Sequence, residues 1–442
     1  MIRIIKPKER ETIIQALRSG VVPRIGLQHI KVCRSEELKS FVKDIDTITD
    51  GGSSFRLVIG EYGSGKTFFL SLVRSIALEK GLVTMNADLS PLKRLYGTEG
   101  QARRLLSDLV SSISTRTKQD GNALTNILEK FIFIAQERAQ QEGVKTSLII
   151  KSILSDLNDY PNGNCFAYVV NKYWEAYDTG NDTLKECVVK WLKGEYSTKT
   201  DTMKDLGIRD FINDASFYNT LKLYSIFVKK AGYKGLLINL DEMVNLYKNP
   251  NSTSRKMNYE EILRILNDTL QGNVSSMAFI LSGTPEFLTD TRRGLYSYEA
   301  LRSRLAENEF SKQLGLTDYN STVLRLANLS KEELYVLLKN LRNIFARGKE
   351  ENYLVSDEAL IAYMNYCANR IGDSYFRTPR NTIKGFLDLL SILEQYPSIK
   401  WDDIIERIEI EKDIEPTEIG NALSAQGYNE CMEEDEFSTF KL

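Results

Sequence analysis

A glycine-rich octapeptide, placed between an apolar run and an apolar helix start, constrains the fold of this chain more than any other feature. Residues 60–67 read GEYGSGKT and match the pattern G-x-x-x-x-G-K-[ST]. The preceding run 55–59 (FRLVI) predicts a short buried strand, and the following run 68–73 (FFLSLV) predicts an apolar helix. A strand, a glycine turn and a helix N-terminus together form a cradle whose backbone N–H groups and helix dipole attract a phosphate.

The cradle predicts a nucleotide site with ATP and Mg²⁺ as cofactors. Lys66 is expected to reach the β- and γ-phosphates, and Thr67 is expected to hold Mg²⁺. The predicted nucleotide contacts come from one continuous segment, namely Gly60, Glu61, Tyr62, Gly63, Ser64, Gly65, Lys66, Thr67 and Phe68. The alternative is a glycine turn that carries a surface lysine, and the flanking strand and helix disfavour it.

A pair of acidic residues supplies the second half of the predicted site. Run 236–240 (LLINL) is almost wholly apolar, as expected for a parallel strand covered on both faces, and Asp241 and Glu242 follow it directly. Ligands of open parallel sheets bind at the carboxyl ends of strands, so Asp241 is expected beside the glycine loop, where it orients Mg²⁺ or its waters. Glu242 is predicted to be the general base that polarises the attacking water. The alternative is that both acids only begin a turn or cap a helix.

Polar residues also follow the next apolar run, 277–281 (MAFIL), which predicts a neighbouring strand. Ser282 is predicted to hydrogen-bond the γ-phosphate or the attacking water, and Thr284 is a second candidate for this role. A simple turn function explains either residue equally well.

Three arginines are candidates for contacts with the γ-phosphate. Arg302 and Arg304 lie two positions apart on a predicted helix and point about 200° apart, so only one is expected to act as an arginine finger towards a neighbouring subunit. Arg380 falls in the first turn of a helix that Thr378 and Pro379 are expected to begin. A cation there opposes the helix dipole unless an anion compensates, which favours a nucleotide contact. The alternative for each arginine is a solvated helix surface.

Composition restricts the class of protein. Of 442 residues, 42% are hydrophobic and 27% are charged, as in ordinary soluble domains, and no uncharged apolar run is long enough to predict a membrane span. The net charge of −2 argues against a chain-wide basic field for nucleic acid, while a local basic patch stays open. The chain contains five cysteines and one histidine, at Cys33, Cys165, Cys187, Cys367, Cys431 and His29. Their spacing forms no metal-binding pattern. We therefore expect reduced thiols, a structural role for His29, and a cytoplasmic protein.

The order of the predicted elements indicates an α/β fold with a parallel sheet. The predicted strands lie at 55–59, 81–87, 236–240 and 277–281, with an edge strand at 323–326. Roughly 170 residues separate Thr67 from Asp241, whereas a βαβ unit takes about 30. The excess predicts a large helical insertion at about 110–230.

Three helical stretches at about 330–346, 356–370 and 379–395 predict a C-terminal helical lid. The expected organisation has four parts: an N-terminal linker and helix (1–50), a P-loop ATPase core (51–328), the helical lid (329–400), and an acidic, mobile tail (401–442).

Several segments resemble those of known ATPases. Segment 32–38 (VCRSEEL) is similar to the stretch that precedes the core in AAA+ ATPases of the origin-recognition and signalling type, where the nucleotide base is contacted, although glycine is usual at Cys33. A closer resemblance is to the BREX-type phage-defence ATP-binding proteins of the BrxC/BrxD family, nearer to BrxD. It rests on 21–30 (VVPRIGLQHI) and 59–70 (IGEYGSGKTFFL) and is extended by 87–91, 95–98, 241–242 and 282–287.

The resemblance implies an AAA+ core and a defence-island ATPase that is often found beside a helicase. With the candidate arginine finger, it predicts a Mg²⁺-dependent ATPase that forms a homo-oligomer and works with a helicase, with other defence proteins or on DNA. Two alternatives stay open. One is a nucleotide-gated switch or scaffold with little hydrolysis, and the other is an ATP-dependent DNA-binding adaptor that uses the basic pairs Arg103–Arg104 and Arg292–Arg293.

Overall fold

The sheet is the organising element of the molecule. The computed structural model describes residues 5–23, 25–30, 34–371 and 379–405. Within these residues five strands form one sheet, in the order β2-β3-β4-β1-β5 with every pairing parallel. The strands are β1 (Ser53–Ile59), β2 (Val83–Asp88), β3 (Leu236–Asp241), β4 (Met277–Gly283) and β5 (Val323–Arg325). The predicted α/β fold with a parallel sheet is confirmed, and each strand begins and ends within two residues of its prediction.

Helices cover both faces of the sheet, which explains why β3 is buried along its whole length. Three helices precede β1: α1 (Pro7–Arg18), α2 (Leu27–Ile30) and α3 (Ser35–Thr49). Helix α4 (Lys66–Glu79) connects β1 to β2. One face of the sheet, including Val58 and Ile280, packs against Phe41 of α3 and against Phe69 and Val73 of α4.

A long helical segment connects β2 to β3. Its helices are α5 (Gln101–Ser111), α6 (Leu124–Glu142), α7 (Thr146–Leu154), α8 (Gly163–Asp178), α9 (Asp182–Leu192), α10 (Lys199–Leu206) and α11 (Phe217–Lys230), with short 3-10 helices at Ser155–Asp159 and Asp214–Ser216. Phe166 and Phe227 of this segment belong to the same hydrophobic cluster as Ile238 and Phe279 of the sheet. The predicted helical insertion therefore packs directly on the second face of the sheet.

The segment between β3 and β5 completes the core around β4. It contains α12 (Val244–Tyr247), α13 (Ser252–Leu270), α14 (Pro285–Thr289), α15 (Glu299–Arg304) and α16 (Glu309–Leu314), with a 3-10 helix at Leu295–Ser297. Helix α13 packs on the sheet through Ile262, Ile265 and Leu266.

The C-terminal helices form a separate hydrophobic cluster, as predicted for a lid. They are α17 (Lys331–Phe345), α18 (Asp357–Ile371), α19 (Pro379–Gln395) and α20 (Trp401–Ile405), with a 3-10 helix at Glu350–Asn352. Ile13 and Ile14 of α1 belong to this cluster, so the first helix of the chain packs with the last ones. Thr378 and residues 406–442, including Cys431, lie outside the described residues. Among the described helices, none combines the length and apolarity that crossing a bilayer requires.

Candidate functional site

The glycine loop lies between the end of β1 at Ile59 and the start of α4 at Lys66. Gly63 and Gly65 have φ angles of 81° and 82°, a left-handed conformation that glycine adopts without the steric cost of a side chain. At Gly60 the requirement is space, because a Cβ there would lie 2.4 Å from the Ser64 hydroxyl oxygen. The spacing of the glycines is therefore set by the backbone of the turn.

The loop presents donors that fit a phosphate group. Within the described residues, the backbone N–H groups of Gly65, Lys66, Thr67 and Phe68 form no hydrogen bond. A Cβ built on Gly65 would meet no atom within 4 Å, so the space beside this part of the loop is open. Free N–H groups at a helix N-terminus and an open concave loop are the two features that a phosphate cradle needs.

The Lys66 side chain folds back along the loop. Its Nζ donates to the carbonyl oxygens of Gly60 and Glu61, at 2.8 Å in both cases. Burial lowers the pKa of Lys66, while the negative charges of Asp241 and Glu242 oppose this change. An ammonium group so placed lies among negative partners and next to the free N–H groups of the cradle.

Asp241 lies beside the start of α4, although 174 positions separate it from Thr67. The Thr67 hydroxyl donates to one carboxylate oxygen of Asp241 at 2.7 Å. The other carboxylate oxygen accepts from the Ser282 hydroxyl and from the Glu242 N–H. A hydroxyl and a carboxylate in contact at a phosphate cradle are the oxygen ligands that Mg²⁺ prefers, so this donor set fits a magnesium ion.

Ser282 contacts Asp241 and does not line the cavity described below. It is fully buried at the end of β4, which lies between β1 and β3. Its hydroxyl donates to the Asp241 carboxylate. Thr284 is also outside the lining, and its buried hydroxyl has no hydrogen-bond partner among the described residues.

Glu242 adopts an uncommon backbone conformation. Its φ of 57° is in the left-handed region, which costs a residue with a side chain about 1–3 kcal/mol. The Glu242 N–H donates to Asp241 at 2.8 Å, and the Met243 N–H donates to the Ser282 carbonyl at 3.0 Å. Partial desolvation raises the pKa of Glu242, and the charges of Asp241 and Asp88 raise it further. The carboxyl group is therefore a stronger base than an ordinary glutamate.

Asp88 is a third acid at this edge of the sheet, and the sequence analysis did not assign it to the site. It ends β2 and pairs in register with Asp241 on β3. Desolvation and the charge of Asp241 raise its pKa. The sequence could have indicated Asp88, because it follows a predicted strand as Asp241 does, and ligands of parallel sheets bind at the carboxyl ends of strands.

Asp88, Asp241 and Glu242 line a cavity of about 1090 Å³, and the other walls come from the N-terminal segment, the glycine loop with α4, the segment that follows β2, and the lid. The loop contributes the segment from Tyr62 to Phe68, while Gly60 and Glu61 lie outside the lining. The end formed by the N-terminal segment and the lid is mainly apolar, with Leu17, Val21, Val22, Ile30, Leu329, Leu337 and Ile383 in its walls. A cavity with acids and N–H groups at one end and apolar walls at the other suits a nucleotide.

Arg380 connects the lid with the loop. Its Nη1 donates to the Tyr62 hydroxyl at 3.2 Å, and the residue lines the cavity. A Cβ on Gly20 would lie 2.2 Å from Arg380 Nε, so only glycine leaves room for this side chain.

Arg302 and Arg304 are exposed on α15, and neither is among the described residues that line the cavity. Arg304 donates to the Ala300 carbonyl of its own helix at 2.9 Å. The structure therefore does not bring either arginine to the loop of the same chain, and a finger contact would have to reach a second subunit.

The basic pairs are partly engaged within the fold. Arg103 donates to the Gly194 carbonyl at 3.0 Å, and Arg104 donates to the Glu99 carbonyl at 2.9 Å. Arg293 lies over the ring of Tyr247, whereas Arg292 has an exposed side chain. His29 lies 3.8 Å from a Glu9 carboxylate oxygen and is not part of the cavity lining.

A parallel sheet with a lysine-bearing glycine loop after β1 and an acid pair after β3 defines a P-loop nucleotide-binding protein. The family model of the BREX system ATP-binding protein BrxC/D matches residues 5–409. The chain therefore belongs to this family, which confirms the resemblance found in the sequence and makes the protein an ATP-binding component of a phage-defence system. This family model covers both BrxC and BrxD, so the closer resemblance to BrxD stays a prediction. A comparison with curated proteins gives no match.

Proposed function

We propose that the protein is a Mg²⁺-dependent ATPase that hydrolyses ATP to ADP and phosphate. One observation carries the proposal. The hydroxyl of Thr67 and the carboxylate of Asp241 meet at a helix N-terminus with free N–H groups, although Asp241 lies far away in the sequence. Glu242 lines the same cavity, and its charge acts on Lys66. Binding alone needs only the cradle, whereas a base with a raised pKa next to two candidate metal ligands suits hydrolysis.

In this proposal the loop binds the triphosphate. The N–H groups of residues 65–68 and the Lys66 ammonium contact the β- and γ-phosphates, for which Lys66 leaves the carbonyl oxygens of Gly60 and Glu61. Thr67 and Asp241 hold Mg²⁺, which neutralises charge on the phosphate oxygens when it is bound. Ser282 holds the Asp241 carboxylate in place through the hydrogen bond that its hydroxyl donates.

Glu242 performs the proton transfer of the reaction. Its carboxylate accepts a proton from a water molecule, while the water oxygen forms a bond to the γ-phosphorus. The bond from that phosphorus to the bridging oxygen of the β-phosphate breaks, and ADP takes up the electron pair. The hydrogen bond from the Glu242 N–H to Asp241 fixes the backbone that carries this base.

The lid and a second subunit complete the proposed site. Arg380 already contacts the loop through Tyr62, and a shift of its guanidinium to the γ-phosphate would couple lid position to the nucleotide. Arg302 or Arg304 would supply an arginine finger to a neighbouring copy, because both are exposed away from the cavity of their own chain. The protein is therefore proposed to act as a homo-oligomer.

If active sites are shared between subunits, the ATPase rate per chain should rise with protein concentration. We expect only one of the two single variants, Arg302→Ala or Arg304→Ala, to lose activity. At high protein concentration its rate should be about tenfold lower than that of the parent, which is the value of one charge-assisted hydrogen bond. Phosphate release at a series of protein concentrations measures this effect.

The two arginine variants are controls for each other, since both residues are exposed on the same helix. A rate per chain that does not change with concentration, in the parent and in both variants, would exclude a shared active site.

The turnover number should depend on pH through Glu242. Its pKa is raised, so the carboxylate takes up a proton, and the base is lost, at a higher pH than for an ordinary glutamate. We expect kcat at saturating ATP to fall as the pH decreases, while ATP affinity at the same pH values is kept. A kcat that stays constant down to about pH 4.3, where ordinary glutamates protonate, would contradict the assigned base.

A second candidate function is a nucleotide-gated switch that scarcely hydrolyses ATP. Among the described residues, neither Arg302 nor Arg304 lines the cavity of its own chain, so a chain that does not assemble would lack the contact that either arginine is proposed to make. Slow single-turnover hydrolysis that ignores DNA and protein concentration would select the switch over the oligomeric ATPase.

The proposed partners are other proteins of the defence system, with a helicase foremost, and DNA. The adaptor alternative receives little support from the basic pairs, since Arg103 and Arg104 donate to main-chain carbonyl oxygens. Salt-sensitive DNA binding that requires ATP would favour the adaptor, and no binding at low salt would exclude it.

A further inference from the structure

Arg34 belongs to segment 32–38, lines the cavity and is hydrogen-bonded to the glycine loop. It directly precedes α3, and its side chain is 10% exposed. One guanidinium nitrogen, Nη2, donates to the carbonyl oxygen of Ser64 and to that of Ala327, at 2.9 Å in both cases. Arg34 thus connects the residue before Gly65 with the segment that follows β5.

The first of these bonds fixes one peptide plane in the cradle. In a trans peptide the C=O and N–H groups point in opposite directions. A Ser64 carbonyl held by Arg34 therefore directs the Gly65 N–H away from Arg34, and this N–H is one of those that form no hydrogen bond within the described residues. Since glycine adopts many conformations, the hydrogen bond from Arg34 restrains a peptide that the Gly65 residue alone leaves free to adopt other orientations.

The second bond reaches the linker between the core and the lid. Ala327 lies between β5 and α17, four residues before the lid begins at Lys331. The negative charge of Glu37 on α3 attracts the Arg34 guanidinium, and Glu333, in the first turn of α17, adds a smaller attraction. Glu333 itself closes a capping box with Ser330, which fixes the start of the lid helix.

We propose that Arg34 is a positioning residue that sets the orientation of the Ser64–Gly65 peptide and ties it to the linker of the lid. The inference rests on the proposed nucleotide site and adds a residue that touches no nucleotide atom in this role. It makes phosphate recognition depend on where the lid linker lies. Loss of Arg34 should therefore weaken binding of the phosphates and leave binding of the base and ribose unchanged.

The test compares competitors that share the nucleoside and differ in phosphate. A fluorescent ATP analogue is displaced by ATP and by adenosine from the full-length parent, Arg34→Ala and Arg34→Lys. We expect Arg34→Ala to lose about tenfold in ATP affinity with no change for adenosine. Arg34→Lys should recover part of the loss, because a lysine keeps the charge without the planar fork that spans two carbonyl oxygens.

Arg10→Ala is the matched control. Arg10 also donates to a main-chain carbonyl, that of Phe345 at 2.7 Å, and it joins the N-terminal region to the lid through Glu394 without contacting the loop. We expect this variant to lower the unfolding temperature while the ratio of ATP to adenosine affinity stays that of the parent.

An unchanged ratio in Arg34→Ala, or an equal change in Arg10→Ala, would overturn the positioning role. If Arg34→Ala does not fold, the ratio in Arg34→Lys decides in the same way. A parent protein that does not bind ATP would instead contradict the proposed function, so the two failures are distinguishable.

Discussion

Glu242→Gln is expected to abolish ATP turnover while ATP binding stays intact. The amide keeps the size and polarity of the side chain but does not accept a proton from water, and a positioned general base contributes about 100- to 10,000-fold. Because Thr67, Asp241 and the loop N–H groups are untouched, the dissociation constant for ATP should not change. Phosphate release and equilibrium binding of ATP, measured on the same preparation, separate the two effects.

Glu261→Gln is the control for this experiment. Glu261 is also a half-buried glutamate with a pKa raised by burial, but it lies on α13 and pairs with Arg264 outside the cavity. The Glu261→Gln variant should turn over ATP at the rate of the parent protein. Normal turnover in Glu242→Gln would remove Glu242 as the base and would mean that another group activates the water.

Lys66→Ala is expected to lower ATP affinity about 100-fold or more, with a parallel loss of turnover at fixed ATP. The lysine would contribute two charge-assisted hydrogen bonds to the phosphates, each about 1.5 kcal/mol or more. Its loss also removes a cation on which the charges of Asp241 and Glu242 act, so their repulsion of the triphosphate is less compensated.

Lys80→Ala is the control, because it removes a lysine next to α4 that lies away from the glycine loop. Lys80 follows the other end of the same helix, where it pairs with Asp46 far from the loop. We expect parent-like affinity for this variant. Parent-like affinity in Lys66→Ala as well would show that the nucleotide does not use the glycine loop.

The sequence predicted the strands well because each one is a continuous apolar run, and such runs mark parallel strands covered on both faces. It predicted the neighbourhood of Thr67 and Asp241 for a related reason, since carboxyl ends of parallel strands share one edge of the sheet. The order of the strands could not be predicted from the sequence. In the sheet β4 lies between β1 and β3, and no local sequence pattern indicates which strands pair.

The parts of the site that the sequence missed depend on tertiary contacts. Arg34 contacts Ser64 and Ala327, whereas the resemblance of segment 32–38 indicated only a contact with the nucleotide base. Ser282 was expected to hydrogen-bond the γ-phosphate or the attacking water, and the sequence did not indicate the hydrogen bond that its hydroxyl donates to Asp241. The left-handed backbone of Glu242 is equally invisible in a sequence, since glutamate carries no preference for it.

The packing of α1 into the C-terminal helices has a practical consequence for following the proposed ATPase cycle. Arg10 and Arg18 attach α1 to α17 and α19 through Phe345, Glu394 and Asp388, and the isoleucines of α1 are buried there. A rotation of the lid must therefore carry the first helix of the chain along as a rigid lever. A spectroscopic probe on the outer surface of α1 would record nucleotide-driven motion without any label near the phosphates.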